Sequence, residues 1–237
     1  MGLRCRDCTV RCHIDCRTLL TVSCVPQSGT PTTKTMMGYL SDFAPSISPM
    51  IPPLIVHCVN EIEARGLTGV GLYRQSTLER EYKALKEQFL RGKATPHLAN
   101  TDVYVLCCCV RDFLRSLREP LIPTCQWKDF ANAVQNPGTR QSERLLYKSV
   151  DELPQANRDT MVFLVLHLQR IAECPAVHMT IDILSMIFGP TIVGYSSLDV
   201  DRLDMYTDHE TQQQVIKALL QLPSSFWQQF VAHEQRG

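Results

Sequence analysis

The chain has 237 residues, 44% of them hydrophobic and 20% charged, and its 24 basic side chains balance 24 acidic ones. That apolar fraction is enough for a buried core and excludes a disordered chain, while zero net charge leaves no global field to gather nucleic acid or an acidic membrane. The length suits one domain of ordinary-to-large size, or one domain with a small appendage.

The opening "MGLRCRDC" has neither a basic n-region nor an apolar h-region, so no secretory leader is expected. The longest apolar run, "VYVLCCCV" at 103–110, is far shorter than the roughly 20 residues a membrane helix needs. Of the 11 cysteines, five lie within the first 24 residues and three are consecutive at 107–109. Neighbouring cysteines on a helix point apart and make no regular disulfide framework, so a reducing, cytoplasmic setting is expected.

In chain order, residues 1–24 form a Cys/His-rich segment, Cys5-x2-Cys8-x4-His13-x2-Cys16-x7-Cys24. Zinc takes four such donors, and a segment this short, with no core of its own, folds only if a metal supplies the free energy. Residues 25–36, "VPQSGTPTTKTM", read as a linker. The main domain is expected over 37–235.

That domain reads as helices. Leu54, Ile55, Cys58, Val59 and Ile62 fall at helical spacing, with Arg65-Gly66 as a stop. Asn100-Thr101 is the expected cap of a second long helix whose apolar face carries Val103, Leu106, Val110, Phe113, Leu114 and Leu117, ending before Pro120. Pro154 opens a third, with Met161, Leu164, Val165, Leu168 and Ile171 on one face. Shorter patterns cover about 78–91, 126–134, 141–150, 180–188, 209–221 and 224–231, and two-residue alternation of any length is absent. The expected fold is all-α, a multi-helix bundle-like domain with loop-rich connections.

One stretch asks for a functional reading. In "GVGLYRQSTLER" (69–80), small residues let the chain turn, Leu72 and Tyr73 can anchor it, and Arg74 is left projecting. Alone, Arg74 reads equally as a solvated side chain or as one held out to meet phosphates. His57, His97, His167 and His178 show no spacing for a metal or a triad and are expected in the core or on the surface. Cys107–Cys109 read as small buried residues, and Trp127 and Trp227 as packing anchors.

"MIPPLIVHCVNEIEARGLTGVGLYRQS", "VRDFLRSLREPLIP", "LPQANRDTMVFLVLHLQRIAE" and "MTIDILSMIFGPTIV", in this order, resemble the RhoGAP domain, which activates Rho-family GTPases. Their wording is similar to the GAP subunit of centralspindlin, the male-germ-cell Rac GAP family, in which a C1 zinc domain directly precedes the GAP domain. The resemblance implies an all-α RhoGAP-type fold, a Rac- or Cdc42-like partner or Rho itself, and an arginine finger at Arg74. It places the supporting basic pair at Arg111, where the family usually has Lys, and Arg115. It also places a turn beside the GTPase-binding surface at Phe188–Thr191, including Pro190, which reads equally as a plain stop to an apolar helix. Two departures stand out: Thr77 replaces a Gly, and Ile183 replaces an Asn whose amide helps bind the GTPase. The resemblance therefore leaves two activities open, a working GTPase activator and a GTPase-binding scaffold with weak or no activation.

The N-terminal segment is similar to the second half of a C1 domain. By that resemblance Cys5, Cys8 and Cys24 belong to one zinc site, and His13 and Cys16 to another, each lacking ligands from the upstream half. A truncated segment with incomplete sites, one rearranged site that also uses Cys12, and a lipid-binding module remain as readings. The last is disfavoured because the lipid-binding loops belong to the other half. Apart from zinc there, no cofactor is implied, since GTP and Mg²⁺ would belong to the partner. The same kinship allows recruitment to cytoskeleton or cortex, and a chain that is a fragment or short isoform.

Overall fold

The computed structural model describes residues 2–4, 11–14, 38–91, 94–197 and 202–232. Two three-residue strands, β1 (Gly2–Arg4) and β2 (Arg11–His13), pair antiparallel with Gly2 opposite His13 and Arg4 opposite Arg11. They are too short for alternation to have marked them. Of the candidate zinc ligands, Cys5, Cys8, Cys16 and Cys24 lie outside the described residues, and so does Cys12. Only the backbone of His13 is described. Among the described residues no group of three or more His, Cys, Asp or Glu side chains is placed to hold a metal.

From residue 38 the described elements are helical. They are α1 (Pro53–Ala64), α2 (Glu79–Leu90), α3 (Val103–Arg115), α4 (Trp127–Ala133), α5 (Arg140–Asp151), α6 (Gln155–Glu173), α7 (Ile181–Ile192), α8 (Arg202–Gln221) and α9 (Ser224–Ala232). Short 3₁₀ turns lie at Leu40–Phe43, Thr124–Gln126 and Pro175–Val177.

Local chemistry explains most of the boundaries. Pro53 sits in the first turn of α1, where a missing N–H costs nothing. The cap of α3 is Asp102, not the Asn100-Thr101 pair before it. Its carboxylate accepts from the Tyr104 amide at 2.7 Å and adds a negative charge at the positive end of the helix. Thr139 and Thr180 cap α5 and α7 by accepting from Ser142 N and Ile183 N. The start of α8 escapes sequence reading because "RLDMYTD" carries no apolar face. Met205 and Tyr206 are exposed there, and burial becomes regular only from Asp208 and Gln212 onward.

One connected core runs from Leu40 to Trp227. α6 lies deep within it, and residues as polar as Thr160, His167 and Gln169 are buried along its length. α3 is covered on nearly all sides, so Cys107, Cys108 and Cys109 are all buried together. α7 and α8 pack tightly at Gly189, where an added Cβ would lie 3.1 Å from the Gln212 backbone. Only a glycine fits that approach without displacing one helix from the other. No helix among the described residues is long and apolar enough to cross a membrane.

Candidate functional site

The turn between α1 and α2 carries the site. Gly71 has φ +73° and Tyr73, two residues on, has φ +67°. The left-handed region is routine for glycine, but a residue with a Cβ gives up about 1–2 kcal/mol to enter it. Such strain persists only where the surroundings overdetermine it. The Gly71 amide donates to Val177 O at 2.7 Å, and Tyr104 Oη donates to Val70 O at 3.0 Å. The amides of Arg74 and Gln75 both return to Gly71 O, at 2.9 and 3.1 Å.

Leu72 and Tyr73 are both 0% exposed, whereas Arg74, Gln75 and Ser76 are exposed. The chain dives into the core and re-emerges within one residue. The Tyr73 ring packs edge-on against Phe188 of α7 and His167 of α6, with centroids 5.1 and 5.7 Å away. Burial pushes the Tyr73 phenol well above its ordinary pKa, so the ring stays neutral. It also pushes the Cys107 thiol up to about 12, against the Tyr73 backbone, which pulls the other way.

Of the two arginines on α3, Arg111 reaches the loop: its Nη1 donates to Tyr73 O at 2.7 Å. Burial, and then the charge of Arg115, lower the Arg111 pKa from its ordinary value. Next to Arg111, Asp112 forms an ion pair with Lys86 of α2, an ammonium only 2% exposed. Arg115, one turn on, is exposed and donates from Nε to Thr191 Oγ1 at 3.2 Å. Arg115 therefore meets the Pro190 segment, and Arg111 meets the Arg74 loop. The pair ties both to one helix.

The Phe188–Thr191 stretch is not a turn. It is helical, Pro190 lies inside α7, and the helix continues to Ile192. Thr191 Oγ1 donates to Ile187 O at 3.3 Å. Ile183 stands two turns before Pro190, half-buried against the core edge, and offers no polar side-chain atom. Thr77 is not among the left-handed residues, so its backbone does not demand glycine, and its hydroxyl is buried without a hydrogen-bond partner.

Sequence reading missed the loop's inner support. Tyr73 Oη lies 2.9 Å from His167 Nε2, and His167 Nδ1 lies 2.6 Å from Glu63 Oε1. Arg170 reaches the same oxygen through Nε and Nη2 at 2.9 and 2.7 Å. A signal was available: periodicity puts His167 on the apolar side of α6, and a buried imidazole has to find partners. The partners themselves, more than 90 residues distant in the chain, leave no local trace. Burial lowers the His167 pKa in spite of Glu63. Burial also works against the charge of Glu63, but the bonds from His167 and Arg170 prevail and hold its carboxyl below the usual range.

The RhoGAP domain family matches residues 52–197, a span that contains this turn, both arginines and all of α7. The chain belongs to the RhoGAP family. It is 44% identical over its whole length to Rac GTPase-activating protein 1 of Mus musculus, and 30% identical over 73% of its length to probable Rho-GTPase-activating protein 7 of Schizosaccharomyces pombe. The crystal structure of human Rho GTPase-activating protein 15 superposes with a TM-score of 0.65 at 27% identity, covering 72% of this chain and 81% of that one. The chain spans 38% of the mouse relative and 26% of the yeast one. The match confirms the all-α RhoGAP-type architecture expected from the sequence.

Proposed function

We propose that this RhoGAP domain accelerates GTP hydrolysis on a Rho-family small GTPase by inserting Arg74 into the partner's nucleotide site. The observation that carries the reading is the exposure of Arg74 directly after two fully buried residues, on a strained turn braced by Arg111. Negative charge builds between the β- and γ-phosphates as GTP is cleaved. A guanidinium brought in trans neutralises it and steadies the partner's glutamine over the attacking water. The effect is about 10³–10⁵ in rate, or roughly 4–7 kcal/mol of barrier. Arginine suits the task because its planar fork stays charged in a dry site.

The domain acts as an activator: bond cleavage takes place in the partner's site, and GTP and Mg²⁺ come with the partner. Arg115, Pro190 and Ile183 form the remainder of the proposed contact surface. Kinship with a Rac GTPase-activating protein favours a Rac- or Cdc42-like partner, a cytoplasmic setting and the centralspindlin GAP branch of the family. Phosphate release from GTP-loaded Rac, Cdc42 and Rho tests activation and preference together. Binding without stimulation would favour the second reading, a scaffold, for which the apolar Ile183 in place of an amide is the specific support. Zinc at Cys5, Cys8, His13, Cys16 and Cys24 rests on their spacing alone, and metal quantification on the purified chain tests it.

A further inference from the structure

The hydroxyl of Tyr73 points inward, away from any partner, and ends on a polar row that runs in from the surface at Arg170 through half-buried Glu63 to buried His167. The order of protons in this row follows from its chemistry. Glu63, beside Arg170, only accepts, so the His167 proton sits on Nδ1 and Nε2 is left to accept from the Tyr73 hydroxyl. The arrangement has the form of an acid–base–hydroxyl relay, but His167 and Tyr73 are both 0% exposed, so no substrate can reach the hydroxyl. What the row can act on is conformation. Tyr73 is the left-handed residue immediately before Arg74, and its hydroxyl is the end of the side chain farthest from the strained backbone.

We propose that His167, oriented by Glu63, is a positioning residue for Arg74: by holding the Tyr73 hydroxyl it locks the left-handed turn from which the guanidinium projects. Arg111 fixes the carbonyl of Tyr73 from α3, and His167 fixes the other end of the same residue from α6. Tyr73 is thus clamped at both ends, and Arg74 inherits its direction from the clamp. The inference rests on Arg74 being the inserted arginine.

The test is single-turnover hydrolysis of a GTP-loaded Rac-type GTPase over a range of domain concentrations. The variants are Arg74→Ala, Tyr73→Phe, His167→Leu, His167→Gln and the Tyr73→Phe/His167→Leu double, each also melted by circular dichroism. One lost hydrogen bond corresponds to about a 5- to 10-fold fall in the saturating rate. That fall is expected for Tyr73→Phe and for His167→Leu, with the half-saturating concentration unchanged, because the clamp contributes to aim and not to docking. The double variant is expected to be no slower than the slower single, and His167→Gln, which keeps a polar group near the hydroxyl, to recover part of the loss. Tyr73→Phe preserves the ring packing, so it carries the test even if His167→Leu fails to fold. Wild-type saturating rates in Tyr73→Phe, a loss confined to affinity, or additive losses in the double variant would overturn the proposal. A wild-type domain without stimulation, indistinguishable from Arg74→Ala, would instead remove the functional reading, and the positioning role with it.

Discussion

At the scale of single residues, Tyr73 is where structure is spent on function. A left-handed tyrosine is costly, and here it is held by a guanidinium on its carbonyl and an imidazole on its hydroxyl. Arg111 contributes a charged hydrogen bond, a class worth about 1.5–3 kcal/mol. Arg111→Ala is therefore expected to lower the saturating GTP hydrolysis rate about 10- to 100-fold, read by single-turnover kinetics with domain in excess, while the thermal melt shifts only modestly. Thr77 needs no such compensation. Its backbone is not left-handed, so the glycine expected there from the family pattern is not a backbone requirement. The apolar pair behind Gly69 and Gly71 made the burial of Leu72 and Tyr73 and the exposure of Arg74 legible, but the pattern alone left Arg74 open between a solvated side chain and an inserted one, and only the family resemblance pointed to insertion. The residues that hold Tyr73 from beneath were not legible, since Glu63 and His167 lie 104 positions apart.

At the scale of elements, α7 unites two requirements that local reading separates. Its Phe188 packs under Tyr73, its Thr191 accepts from Arg115, and Gly189 lets α8 close against its back. Pro190 suggests a stop, yet near the last turn of a helix the ring removes only one N–H, and packing against α8 carries the helix to Ile192. Helix positions elsewhere were readable because apolar periodicity follows the core face. α8 was read too short because its first turns have no such face, and the cap of α3 was placed on the Asn100-Thr101 pair instead of Asp102 directly after it. The first turn of α7 carries the element-scale prediction. Ile183 contributes its amide N–H to the Thr180 cap and only an aliphatic side chain to the surroundings. Ile183→Asn leaves the cap intact and adds a donor and an acceptor. Stimulated hydrolysis is expected to rise about 3- to 10-fold, the worth of one new hydrogen bond to the partner, and single-turnover rates showing no gain would count against a GTPase-facing role for this position.

At the scale of the whole molecule, the polar row that runs from the surface into the core makes stability depend on pH. The folded-state pKa of His167 lies below its unfolded value of 6.5, so the unfolded chain takes up this proton first as pH falls. Its contribution is complete above about 6.5 and is lost progressively below it. Glu63, whose folded pKa lies below 4.5, adds a second loss at still lower pH, because its bonds to His167 and Arg170 favour the ionised form. Urea titrations at pH 7.5 and 5.5 are expected to show a lower midpoint at pH 5.5, and His167→Gln is expected to flatten that difference. The other whole-molecule property is the division of labour. A helical body with one connected core presents the strained turn that carries Arg74, and nothing in the proposed chemistry asks the domain to bind nucleotide itself. Insertion of Arg74 is tested most directly by phosphate release from GTP-loaded Rac in single turnover, compared between the wild-type domain and Arg74→Ala. Strong stimulation by the wild type is expected, with a fall of about 10³-fold or more on loss of the guanidinium and binding to the GTPase retained. Equal rates for the two proteins would contradict insertion.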